Sequence, residues 1–99
     1  MTFTPPLPPA FIAALSAIPH GYCEGSSRGG RWGASLKRSA DGNRLSFFAE
    51  DLAGQDIVSF NLYRLSGGFL TLKPCEMSSD KVIEFVIGFQ PDDQHRAEI

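Results

Sequence analysis

The stretch RWGASLKRSADGNRLSFFA, residues 31–49, decides the fold. Its hydrophobic period is two. Trp32, Ala34 and Leu36 alternate with Arg31, Ser35 and Lys37; Leu45, Phe47 and Ala49 then alternate with Arg44, Ser46, Phe48 and Glu50. Successive side chains of a strand point to opposite faces, so each run sorts into an apolar side and a polar side. Between the runs, Ser39-Ala40-Asp41-Gly42 ends in Asp-Gly, which accepts the positive φ of a tight hairpin.

The same pattern continues toward the C-terminus. Val58, Phe60 and Leu62 alternate with Ser59, Asn61 and Tyr63 after the turn Ala53-Gly54-Gln55-Asp56. Leu70 and Leu72 alternate with Phe69, Thr71 and Lys73 after Ser66-Gly67-Gly68, and Pro74 stops the ladder because it has no N–H to donate. Four such runs at regular spacing predict a four-stranded antiparallel β-meander.

Toward the N-terminus, Phe11, Leu15 and Ile18 fall at helical spacing, with Pro9 suited to a first helical position and Pro19 and Gly21 ending the segment. A helix this short is marginal in water by itself, so it must dock. Residues 1–9 are Pro-rich and read as extended. Residues 21–30, GYCEGSSRGG, read as a flexible loop.

Residues 81–89, KVIEFVIGF, fit two patterns. As a strand, Ile83, Phe85, Ile87 and Phe89 share a face; as a helix, Val82, Phe85, Val86 and Phe89 form a stripe. β-Branched content favours strand. The flanks favour helix, since Ser78 or Ser79 can cap it, Asp80 falls in the first turn and Pro91 follows its end. Residues 81–89 are therefore expected to be helical. The expectation is thus an α+β chain: a Pro-rich N-terminus (1–9), one domain (10–90) and a flexible polar tail (91–99).

The meander would put Trp32, Leu36, Leu45, Phe47, Val58, Phe60, Leu62, Leu70 and Leu72 on one face, covered by the Phe11–Ile18 helix and the 82–89 segment. The other face would carry Arg31, Ser35, Lys37, Arg44, Ser46, Phe48, Ser59, Asn61, Tyr63, Thr71 and Lys73. Formal net charge is -2 and pI about 5.5, which does not mark the chain for nucleic acid or an anionic membrane. Locally the balance differs: Arg28, Arg31, Lys37, Arg38 and Arg44 stand against Asp41 alone within residues 28–44.

Candidate chemistry is thin. Gly25-Ser26-Ser27-Arg28-Gly29-Gly30 follows G-x-x-x-x-G, but Arg31-Trp32 stand where a phosphate-binding loop needs Lys and Ser/Thr. What survives is a loop whose amides, with Arg28 and Arg31, could hold an anion. His20 and Cys23 are three apart, too sparse for a zinc set, and no metal or cofactor is expected. A thiol-dependent enzyme around Cys23 would need a stabilised thiolate, which the negative end of the preceding helix opposes. With Cys75 as the other cysteine, no disulfide scaffold is expected; the early prolines and the lack of a basic leader predict a cytoplasmic chain with no membrane span.

The reading that results is a non-enzymatic binding or interaction module using a polar, basic sheet face, with Arg28, Arg31, Lys37, Arg44, Phe48 and Tyr63 as its contacts. A protein partner or homodimer would meet that face. Single-stranded nucleic acid is the first alternative, with bases stacking on Phe48 and Tyr63, and the Cys23 enzyme is the second.

Overall fold

The computed structural model describes residues 7–92 of the 99. The fold is α+β. Helix α1 (Pro9–Ser16) leads into strands β1 (Gly21–Ser27), β2 (Gly30–Arg38), β3 (Arg44–Asp51), β4 (Ile57–Arg64) and β5 (Leu70–Pro74); helix α2 (Ser79–Gly88) and a short β6 (Gln90–Pro91) follow. All pairings are antiparallel, and the sheet has six strands in the order β5-β4-β3-β2-β1-β6.

The four expected strands are present, and two further ones extend the sheet beyond β2. The first correction concerns residues 21–30. They are not a loop but β1 and a tight turn, paired in unbroken register from Gly21↔Leu36 to Ser27↔Gly30. Arg28 and Gly29 both take positive φ, 51° and 81°, the backbone of a two-residue hairpin turn that matches strand twist. The core-facing residues of β1 are Cys23, Gly25 and Ser27, so the strand buries small side chains and gives almost no apolar alternation.

The second correction is β6. Gln90 and Pro91 pair with Ser26 and Gly25, and the Asp92 N–H donates to the Glu24 carbonyl at 2.9 Å. The described fold therefore extends into the segment expected as a tail; residues 93–99, and residues 1–6 of the Pro-rich N-terminus, lie outside the described residues. Pro91 sits on the sheet edge, where a missing N–H costs nothing.

Residues 79–88 form the helix that the flanking residues favoured. The Ser78 hydroxyl accepts the Lys81 N–H at 3.0 Å and so caps it. α2 carries the chain beneath the sheet from the β5 edge to the β1 edge, packing beside α1. Both helices cover the same face. Phe11, Leu15, Ile18, Val82, Phe85, Val86 and Phe89 pack there against Trp32, Leu36, Leu45, Phe47, Val58, Phe60 and Leu62. Phe47 and Phe60 stack at 5.1 Å, and Trp32 meets Phe85 at 4.6 Å between ring centroids. Leu70 and Leu72 are only half-buried, because β5 is the edge strand. No helix among the described residues is long and apolar enough to cross a membrane.

Candidate functional site

With both helices on one side, the opposite sheet face is left open. The registers resolve it into cross-strand rows. Nearest the 39–43 turn lie Arg44, Tyr63 and Thr71. The next row is Lys37, Ser46, Asn61 and Lys73, in which the Ser46 hydroxyl donates to Asn61 Oδ1 at 2.9 Å. Then come Tyr22, Ser35, Phe48 and Ser59, and beyond them Glu24, Gly33, Glu50 and Ile57.

Two properties of the face emerge from those rows. Charge reverses along the strands: Lys37, Arg44 and Lys73 occupy one half, while Glu24, Glu50 and Asp92 outnumber Arg31 in the other. At the boundary stand exposed apolar groups, Tyr22 at 60% and Phe48 at 43% of full exposure, with Ile57 beside them. Ser35, Ser46, Ser59 and Asn61 are short, so a hollow of about 260 Å³ opens next to the Phe48 ring.

The candidate residues do not converge on one site. Lys37, Arg44, Phe48 and Tyr63 share the open face, as the alternation predicts. Arg31 shares it too but is engaged: its guanidinium makes a two-pronged contact with Asp92 at 2.9 and 2.6 Å and lies 3.5 Å from Glu24. Those bonds hold the Asp92 carboxyl below its ordinary range and push the Arg31 guanidinium up. Arg28, in the hairpin turn, reaches across to Glu84 of α2 at 3.4 Å. Arg28 and Arg31 thus answer different carboxylates, and the intervening amides belong to a hairpin. The loop expected to cradle an anion is not formed.

Phe48 and Tyr63 are separated by the Ser46–Asn61 row, about 14 Å along the strands at ~3.4 Å per residue. Tyr22 is the face residue that the sequence reading missed, because it sits on β1. Its ring crosses the bare Cα of Gly33, and its hydroxyl donates to Glu24 at 3.3 Å.

Three further places bear on function. A cleft of about 450 Å³ lies between α2 and the 27–30 and 52–56 turns, floored by Trp32, Val58 and Phe85. Four of its five charges are paired: Lys81 donates to Asp56 at 2.7 Å, lowering the Asp56 carboxyl, and Arg28 pairs with Glu84, while Asp51 accepts the Ala53 N–H at 3.0 Å. The second place is Cys23, buried on the core face of β1. Loss of solvent, with the Asp92 charge adding to it, pushes its thiol up, the opposite of what an attacking thiolate needs. His20 is exposed, and no group of metal-ligating side chains occurs among the described residues. The third is a smaller hollow at the 39–43 end, between the sheet and α1.

Comparison with protein-family models, with curated proteins and with solved structures gave no match.

Proposed function

We propose that the chain is a non-catalytic interaction module that docks through its open sheet face onto a protein surface of opposite polarity. The observation that carries this reading is the reversal of charge across the Tyr22–Phe48 row. Aromatic side chains at the centre of a face, with separated charges around them, suit an interface whose core is apolar and whose rim sets orientation. Serines flanking Phe48 leave room for an apolar side chain to enter beside the ring.

The face is complementary to itself. Turned by half a rotation about the Tyr22–Phe48 row, a second copy brings its acidic half over the basic half of the first, with the two Phe48 rings near the axis. Such an arrangement is isologous, and stacked sheets pack about 10 Å apart. A second copy is therefore the partner to test. The wide spacing of Phe48 from Tyr63 and the acidic half of the face both weigh against a nucleic-acid strand.

Sedimentation velocity over a wide concentration range tests the reading. A reversible dimer is expected at low salt, weakened by high salt and abolished by Phe48→Glu. Lys37→Glu weakens it, and adding Glu50→Lys to that variant restores it. A chain that stays monomeric throughout excludes self-docking. Binding of a single-stranded oligonucleotide, lost on Lys37→Glu, would put nucleic acid in place of protein.

A further inference from the structure

Among the described cations, Arg28, Arg31 and Lys81 each have a carboxylate within 3.5 Å. Lys37, Arg38, Arg44, Arg64 and Lys73 have none among the described residues, and all five stand in the half of the sheet toward the 39–43 turn. The three arginines of this set line one hollow of about 150 Å³, where the ends of β2, β3 and β4 meet α1. Arg38 ends β2, Arg44 begins β3 and Arg64 ends β4, and the Arg64 N–H donates to the Asn43 carbonyl at 2.8 Å, drawing these ends together. Asp41, the acid of the neighbouring turn, is turned inward on its own loop. It accepts the Ser39 hydroxyl at 2.6 Å and the Asn43 N–H at 2.9 Å, and these bonds lower its carboxyl.

The apolar part of the lining is Leu45, Leu62 and Leu70 from the sheet and Ile12 and Leu15 from α1; Ser16, Gly42 and Asn43 complete it. Two cations with no carboxylate partner among the described residues, Arg38 and Arg64, on the same side of a small hollow repel one another, and an anion between them offsets that repulsion. A guanidinium presents a planar fork of donors that fits the two oxygens of a carboxylate, and it tolerates an apolar surround better than an ammonium does. The two lysines with no partner lie on the open face instead, outside this lining.

We propose that this hollow binds a small organic anion: a carboxylate held by Arg38 and Arg64, carried on a compact apolar body that rests on Leu45, Leu62 and Leu70. Its volume excludes a long acyl chain. The site lies on the helix side of the sheet, where Arg38 and Arg64 have the register of Leu36 and Leu62, while Arg44, in register with Tyr63, borders it from the open face.

Benzoate is a suitable probe, followed by NMR titration of the full chain. Saturable shifts of the Leu45, Leu62 and Leu70 methyls and of the Arg64 amide are expected with benzoate. Neutral benzamide and inorganic phosphate are each expected to leave them unmoved. Arg38→Gln with Arg64→Gln weakens benzoate binding about tenfold or more, the loss of a charge-assisted pair. Both residues are exposed, so the variant keeps its fold, which the unchanged spectrum of the distant β1–β2 turn verifies. Lys37→Gln with Lys73→Gln leaves binding within about twofold, a change worth little free energy. The proposal is overturned if benzoate causes no saturable shift, if phosphate or benzamide binds as well, or if the lysine variant loses binding as the arginine variant does.

Discussion

The ring of Phe89 lies against the bare Cα of Gly25. A β-carbon added to Gly25 would stand 2.7 and 2.8 Å from two ring carbons of Phe89 and closer still to the carbonyl oxygen of Gln90. The last turn of α2 and the start of β6 are thus seated on a place in β1 that has no side chain.

Gly25→Ala is therefore expected to cost about 1–3 kcal/mol through overpacking, because the obstructing atoms include backbone. For a domain of this size each kcal/mol lowers Tm by roughly 4–8 °C. Gly33→Ala is the matched control. There the added methyl meets only the outer end of the exposed Tyr22 ring, which can swing into solvent, and the expected cost stays within about 0.5 kcal/mol. Urea unfolding of both variants decides it: equal costs would remove the packing argument.

Acid is expected to unfold the protein partly through two ion pairs. Asp92 beside Arg31 and Asp56 beside Lys81 are both held below their ordinary range. The unfolded chain binds those protons at a higher pH, near 3.9, than the folded chain does. Their contribution is therefore full well above that value and is lost as pH falls through the folded values. Both pairs are exposed, so the effect is small and weakens further with salt. The urea midpoint should be flat from pH 7 to about 5 and fall below pH 4. The fall should be shallower in Asp92→Asn and in Asp56→Asn; an acid limb identical in wild type and both variants would show that these pairs contribute nothing.

The two cysteines should separate cleanly in a thiol assay. Cys75 is exposed and Cys23 is buried, with its thiol pushed up. A disulfide reagent is expected to modify Cys75 quickly and Cys23 only as fast as the fold opens. Prompt modification of Cys23 in Cys75→Ser would reverse this and return thiol chemistry to consideration.

The cap of α2 supplies a fourth prediction. Ser78→Ala removes the acceptor for the Lys81 N–H and is expected to cost about 1 kcal/mol. Ser79→Ala, one position inside the helix, should change stability by no more than a few tenths. Amide exchange at Lys81 distinguishes loss of the cap from a general loosening: it should rise by itself in Ser78→Ala.

Much of this architecture is legible in the residues. Trp32, Leu36, Phe47, Phe60 and Leu62 are bulky and strictly alternate, so the central strands and their buried face follow from period alone. β1 was hidden because a strand that accepts Phe89 onto Gly25 and buries Cys23 and Ser27 has no apolar alternation to display. β6 was hidden because two residues carry no period. The candidate cations were legible one by one, but their pairing was not. Arg31 meets Asp92 across 61 positions of sequence, and Arg28 meets Glu84 across 56. Separations of that kind follow from the path of α2 beneath the sheet, which no local pattern encodes.

The contact between Trp32 and Phe85 gives the molecule an optical handle. Trp32 is the single indole of the chain; it is nearly out of reach of solvent and its ring meets Phe85 of α2 on the helix side of the sheet. Its emission therefore reports the seating of the C-terminal helix. A red shift that precedes the loss of sheet circular dichroism would time the departure of that helix, and ligands on the opposite face would leave the emission unchanged.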